Sequence, residues 1–236
     1  WLAENNLFLF ALDVEARWYR YHPLFERLLQ HRLAQVLTPV EIAALHARAS
    51  AWLAGAGYAN EALTHAIAAG DMQAAVHLLA QQRHMLMNRE EWRTLYRWLC
   101  LFDRATIDQH PDLLLTEAWL MLIQRQGMGN KAAFAASAMR SGVGAPANLG
   151  AVMLELLQRL DGALAREQAA AQTEAAEVTL ARLGAETAVL RCAWLYFSAA
   201  PAAIVPLASD ALALLPPTWQ MARSHALFVL AAACQM

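Results

Sequence analysis

Charge is scarce in this sequence. Asp, Glu, Lys and Arg make up 16% of its 236 residues, against about a quarter in an ordinary globular chain. The shortfall implies a chain that is largely buried, or one whose faces are covered by other domains. Neither sign dominates. A formal net charge of −2 excludes the basic excess that draws a protein to nucleic acid over long range. Cysteine is nearly missing: Cys100, Cys192 and Cys234 are far apart and form no C-x-x-C pair. That excludes a disulfide framework and predicts a reduced, cytoplasmic protein with its thiols buried as small apolar groups. No apolar run reaches the roughly 20 residues a membrane span needs, since Pro201, Pro206, Asp210 and Pro216-Pro217 break the longest stretch. Nothing at the start resembles a secretory leader. Trp1 is not an initiator methionine and no stop signal precedes Met236, so the chain is expected to be a piece of a longer protein.

Chemistry is as sparse as charge. There is no G-x-S-x-G elbow, Cys/His signature or paired-carboxylate motif, and a non-catalytic role is expected. Gly127-Met128-Gly129-Asn130-Lys131 is a poor phosphate loop: Asn130 intrudes before the lysine, and Ala132 replaces the Ser or Thr that would hold Mg²⁺. It reads as a turn between helices. The eight histidines include no H-x-x-x-H pair, and no metal site is expected.

What is abundant is apolar surface, 58% of residues, arranged mostly at helical spacing. The first 37 residues differ from the rest. Leu7–Leu12 and the alternating, aromatic-rich Arg17–His22 predict a β-hairpin. Pro23 then opens a helix carrying Leu24, Phe25, Leu28, Leu29 and Leu33. Thr38-Pro39-Val40-Glu41 is a capping box with proline at the first helical position, leading into Ile42, Leu45, Ala49, Trp52 and Leu53. Gly55 and Gly57 stop that helix. Gly70-Asp71 separates the next two. Asn88 is expected to cap a further helix, with Glu91 at the capping-box position and Trp92, Leu95, Leu99 and Phe102 on one stripe. Pro111 opens another, with Leu115, Ala118, Trp119, Leu122 and Ile123 aligned. Breaks fall near Gly127–Asn130 and Ser141–Pro146. Met153, Leu156, Leu157, Leu160 and Leu164 mark a later helix, then Leu190, Trp194 and Phe197, then Leu207, Ala211 and Leu214. Pro216-Pro217 is read as the start of the last. Helical hairpins every 30–45 residues or so signal a solenoid. Ala62, Ala66, Ala69, Ala74 and Ala75 permit close helix approach, and Trp52 and Leu78 are expected to fill the gaps. The fold class expected is mainly all-α, a superhelical array of antiparallel helical hairpins (TPR-like) over 38–236, preceded by a β-hairpin and helix over 1–37.

Two stretches resemble a known family. Arg20-Tyr21-His22-Pro23-Leu24-Phe25-Glu26-Arg27-Leu28-Leu29-Gln30-His31-Arg32-Leu33 resembles the segment closing the winged-helix region of large ATP-binding LuxR-type regulators, the MalT-like group. Glu61–Asp71 with Ala74-Ala75-Val76-His77-Leu78-Leu79 resembles the first helical repeat after it. Trp98-Leu99, Pro111-Asp112-Leu113 and Ala118-Trp119 continue the pattern, and Asp210–Pro216 fits a later repeat. Leu101-Phe102 departs from it, where the family has Leu-Pro. The resemblance implies a parent with a nucleotide-binding switch domain, a winged helix, this array and a C-terminal helix-turn-helix. ATP or ADP would then sit in a domain absent here, with no cofactor in this segment. The array would receive an inducer or a regulatory protein, and ATP-dependent self-association would follow.

Arg17, Arg20, Arg27 and Arg32 make the start locally basic, yet the resemblance places this winged helix against the nucleotide domain and not on DNA. The tryptophans are the other candidates. Trp92, Trp98, Trp119 and Trp194 can stack on a flat ligand, with Arg93 and Arg125 (and Arg89) binding its polar groups. More often, aromatic stripes at helical spacing plug gaps between helices. Two functions stay open: sensing a small-molecule inducer, or docking a partner protein or a second copy on the array. No direct nucleic-acid contact and no membrane are expected.

Overall fold

The computed structural model describes residues 8–11, 13–15, 19–125, 149–196 and 201–235. The turns expected near Gly127–Asn130 and Ser141–Pro146, the Gly127–Lys131 stretch, Arg17 and Phe197 lie outside the described residues. The chain separates into two compact units, Trp1–Met72 and Gln73–Met236. The boundary expected at 37/38 falls inside the first, between its first two helices.

In the first unit, β1 (Leu9–Ala11) pairs antiparallel with β2 (Tyr19–Tyr21), Leu9 opposite Tyr21. The chain then enters α1 (Pro23–Val36), with Pro23 in its first turn and the His22 imidazole accepting from the Leu24 N–H. Phe25 of α1 packs between Phe8 and Tyr21, with ring centroids 5.2 and 5.5 Å away. This aromatic triplet sets the angle between hairpin and helix. The predicted capping box is formed in full at the start of α2 (Pro39–Gly55): Thr38 accepts from the Glu41 N–H, and the Glu41 carboxylate accepts from the Thr38 N–H at 2.8 Å. The α2–α3 hairpin (α3, Ala59–Ala68) closes on Ala62 and Ala66, both fully buried, and the Ser50 hydroxyl donates to the Ala62 carbonyl. Small residues do allow the close approach. Trp52, expected to fill the gap, is instead 65% exposed, because Leu53 takes the inward position beside it.

The second unit contains α4 (Met72–Asn88), α5 (Trp92–Leu99), α6 (Arg104–Gln109), α7 (Pro111–Arg125), α8 (Leu149–Ala170), α9 (Glu174–Tyr196), α10 (Pro201–Leu214) and α11 (Gln220–Ala233). No strand occurs after Tyr21 among the described residues. The chain is mainly all-α, with a short N-terminal hairpin. Chain neighbours pack on one another: α5 and α6 on α7, α7 on α8, α8 on α9, α9 on α10, and α10 on α11. The expected stripes Trp92, Leu95, Leu99, Phe102 and Met153, Leu156, Leu157, Leu160, Leu164 are all buried.

Three sequence readings are corrected, and one helix is added. Asn88 does not cap α5; it is the last residue of α4, and α5 has Glu91 at its N-cap with no side-chain bond. Glu90, at φ 58°, is the reason: it supplies the left-handed step that ends α4. The short α6 was not read from the sequence, although Asp103 caps it by accepting from the Thr106 N–H. The last helix begins at Gln220, since Pro216-Pro217 forms a turn before it and not its first residues. In α10 the inward stripe is Ile204, Ala208, Ala211 and Leu215, which leaves Leu214 53% exposed.

Three helices end in the same way. The N–H of Tyr58, Asp71 and Glu91 bonds the carbonyl of Leu53, Ala66 and Leu86, five residues back, while Gly57, Gly70 and Glu90 bond the carbonyls three back. This is the Schellman arrangement, with its left-handed residue at Gly57 (φ 86°), Gly70 (φ 75°) and Glu90. A Cβ built on Gly70 meets nothing within 4 Å, so only backbone strain opposes substitution. Gly70→Ala is therefore expected to lower stability by about 1–2 kcal/mol. Gly184→Ala, inside α9 with open space around it, should raise stability by roughly 0.5–1 kcal/mol. Urea denaturation of both variants checks the opposite signs.

Candidate functional site

A charged side chain occurs on the buried face of α4, among Leu79, Leu86 and Met87. It is Arg83, 1% exposed. Its partner lies more than a hundred residues away, on the buried face of α9 between Leu183 and Val189: Glu186, fully buried. The guanidinium grips both carboxylate oxygens, at 2.6 and 2.9 Å. Asp112 at the start of α7 takes a third bond from Arg83 at 3.1 Å. From the same helix the Trp119 indole N–H donates to Glu186 at 2.6 Å. Three donated hydrogen bonds on one carboxylate, two from a bidentate cation, are the geometry of an ionised pair. Burial opposes the charge on Arg83, but Glu186 and Asp112 outweigh it and hold its pKa above the ordinary value. Burial pushes the Glu186 carboxyl upward against the pull of Arg83 and Trp119.

His84, next to Arg83, turns toward a cleft of about 640 Å³ whose other wall is the turn before α11. Its ring stacks flat on Trp219, centroids 3.6 Å apart and planes within 13°. Nε2 stands 3.5 Å from Glu186, and neither ring nitrogen has a hydrogen-bond partner among the described residues. Burial, and then the Arg83 charge, keep His84 neutral far below the usual imidazole range. Asn88, one turn further along α4, reaches across: its amide donates to the Thr218 carbonyl at 2.8 Å, and its oxygen accepts from the Met221 N–H at 3.0 Å. So Asn88 is a cap after all, but of α11. Trp119 also meets the His225 ring edge-on at 4.9 Å. Among the described residues no three His, Cys, Asp or Glu side chains converge as metal ligands. No helix there is long and apolar enough to cross a membrane.

Residues 1–40, which include β1, β2 and α1, match the family model of the MalT winged helix domain. The HTH-type transcriptional regulator MalT of Klebsiella pneumoniae subsp. pneumoniae is 34% identical over 126 residues, which is 53% of this chain and 14% of that protein. MalT of Yersinia enterocolitica and of Yersinia pestis are each 35% identical, with the same shares covered. Over about half its length the chain is MalT-like. It spans only 14% of the length of these curated relatives. No solved structure matches it.

The MalT-like chain distributes its candidate ligand residues widely. Trp92 is 8% exposed and its indole nitrogen has no partner among the described residues. Trp98 is 3% exposed. Trp119 is fully buried and bonded to Glu186. Trp194 is half-buried on α9, and Arg93 is exposed on α5. The Arg125 side chain lies outside the described residues. None of the other five lines the His84 cleft; the tryptophan there is Trp219. Arg83, Glu186 and Trp219 were not singled out from sequence. A signal existed for two of them: Leu79-Arg83-Leu86 and Leu183-Glu186-Val189-Leu190 place a charge inside an apolar stripe, which is rare unless it is paired. Cys100, expected in the core, is exposed, because it follows the last residue of α5 and turns off the stripe; Cys192 is the buried thiol, and burial pushes it up to about 11.

Two predictions follow from this geometry. Arg83→Met leaves Glu186 buried without its cation and should cost about 3–5 kcal/mol. Adding Glu186→Leu should restore part of that loss, so the double variant is more stable than the sum of the singles, as read from denaturant midpoints. The second concerns acid. His84 and His225 have folded pKa values lowered chiefly by burial, against about 6.5 in an unfolded chain. Only the unfolded state takes up protons as the pH falls through that value, so stability drops with acidity. The denaturation midpoint should fall between pH 7 and pH 5, and His84→Phe should flatten that fall.

Proposed function

We propose that this chain is a regulatory, non-catalytic segment of a LuxR-type transcriptional activator. Its second unit senses a small-molecule inducer and relays that event to ATP-dependent self-association and DNA binding by other domains. The observation that carries this reading is 34–35% identity, over 126 residues, to proteins named as HTH-type transcriptional regulators. The winged-helix match over residues 1–40 supports it. A cleft lined by Trp219 and by His84, whose Nε2 stands 3.5 Å from Glu186, gives an inducer a place next to the buried polar network. ATP or ADP belongs to a nucleotide-binding domain elsewhere in such a protein, and DNA contact to its helix-turn-helix. A cytoplasmic location accompanies this reading.

A second reading is a docking segment for a regulatory protein or a second copy. Leu214, Leu227 and Phe228, each more than half exposed on the last two helices, which pack on one another, favour it, since exposed large apolar side chains are a feature of interaction sites.

Tryptophan fluorescence of the chain, titrated across a metabolite panel, separates the two. Sensing predicts a saturable change with at least one compound. No response to any compound, with concentration-dependent self-association in sedimentation, would replace sensing by docking.

A further inference from the structure

We propose that His46 and His65 form a proton-operated latch, which holds the open end of the α2–α3 hairpin closed near neutrality and releases it in acid. The latch lies wholly within the first unit, so it is an input separate from inducer sensing.

The hairpin has a tight end and an open end. At the tight end Gly57 turns the chain, and the Tyr58 N–H bonds the Leu53 carbonyl. One turn further from the loop, the Ser50 hydroxyl donates to the Ala62 carbonyl at 2.8 Å. The next turn brings His46 opposite His65. Their Nδ1 atoms stand 2.8 Å apart and their ring centroids 5.0 Å. Both rings are half-buried. No residue of α2 before Ser50 is buried, so closure of the open end leans on this pair. Just beyond it the chain enters through the Thr38 capping box and leaves through the Gly70 turn.

Counting protons shows what the contact tolerates. A neutral imidazole has one N–H and one lone pair, so one Nδ1 donates and the other accepts. A first added proton keeps the bond, because an imidazolium still donates to its partner's lone pair. A second proton ends it. Both Nδ1 atoms then carry hydrogen, and two like charges stand in contact. Sites coupled this closely take up protons in separate steps. Burial, and then the His46 charge, lower the pKa of His65 from 6.5. The closed pair therefore refuses its second proton until the solution is more acidic than an ordinary imidazole requires.

Neighbouring charges do not remove the conflict. On the two helices themselves these are Glu41, Arg48 and Glu61, with Asp71 just after α3. On α1, which packs on α2, they are Glu26, Arg27, His31 and Arg32, with His22 at its cap. None of them contributes to the shift of His65. Glu41 is held by Thr38, Glu26 by Gln30, and His31 and Arg32 by Gln35. Once released, the His65 charge is well placed: the residue stands in the last turn of α3, where a cation meets the helix carbonyls favourably. Acid therefore favours the open arrangement twice, by repulsion in the closed pair and by attraction outside it.

Hydrogen–deuterium exchange of the 236-residue chain, read by mass spectrometry at about pH 7.5 and pH 5.5 with times corrected for intrinsic rates, tests the latch. Protection over residues 39–47 and 63–70 should fall about tenfold more in acid than protection over α7 and α8, the factor that one pKa unit of coupling supplies. His65→Phe keeps a ring and removes the proton, and should abolish that extra loss. His46→Asn sets an amide near Nδ1 that donates to a neutral His65 or, turned over, accepts from a charged one. It should abolish the loss as well, and it decides the matter where His65→Phe does not fold. The proposal is overturned if the parent shows no extra loss over these segments, if the loss spreads evenly through α7 and α8, or if His46→Asn loses as much as the parent.

Discussion

Glu186 accepts hydrogen bonds from Arg83 on α4 and Trp119 on α7 while sitting on α9. Three helices thus share one carboxylate, and the donor groups of two of them must stand within about 3 Å of it. A buried ion pair is weak evidence for stability, because desolvation consumes most of the Coulomb gain. Its value here is positional. An apolar contact between α4 and α9 would tolerate sliding along the helices by a fraction of a turn. A bidentate guanidinium does not, since displacement orphans two buried charges. In a chain so poor in charge, two of the few charged residues are placed where error costs most.

The same constraint changes the character of the helical array. In a simple solenoid each repeat touches only its neighbours, and the stacking of α7 through α11 follows that rule. The polar contacts do not. Arg83 reaches Glu186 across 103 positions, and Asn88 caps α11 across 133. The second unit is therefore closed by side chains, and its first helix is tied to its last. Closure also explains how α11 begins. Trp219 at its N-cap makes no side-chain cap bond, and the orphan N–H of the first turn is met from α4. Such long-range ties slow folding relative to a purely local array, which is a cost an open solenoid would avoid.

What the sequence made legible divides along the same line. Features set by near neighbours could be read directly: the Thr38–Glu41 capping box, the hairpin before Pro23, the Gly70 stop, and the apolar stripes of α5 and α8. Where local reading failed, the decisive partner was distant or the residue atypical. Asn88 followed three residues later by Glu91 looks like a cap, and only the geometry of α11 shows which helix it caps. Glu90 ends α4 in a left-handed conformation that glycine would have announced. Trp52 looks like a core filler but points outward, because the next residue, Leu53, takes the inward position. The site was the least legible part. Tryptophans drew attention as a class, yet which of them faces a cleft depends on helix packing that period and spacing do not encode. The better signal was a charge within an apolar stripe, at Arg83 and Glu186.

A cleft placed on such a network suits regulation better than one placed on an apolar core. Apolar packing responds to a bound ligand by small local shifts, whereas a shared carboxylate has few alternative arrangements, each with different bonds made and broken. A ligand changes an equilibrium only by interacting differently with its two states. Here His84 stands between cleft and carboxylate, and the state in which Glu186 holds both Arg83 and Trp119 differs from any other by buried hydrogen bonds. Those differences are large on the scale of the one to three kcal/mol or so that couples typical allosteric sites. Under the sensing proposal, coupling of that size would ask little of an inducer itself. It would need only to bear differently on the His84–Trp219 stack that lines the cleft, and the buried charges would supply the rest of the discrimination.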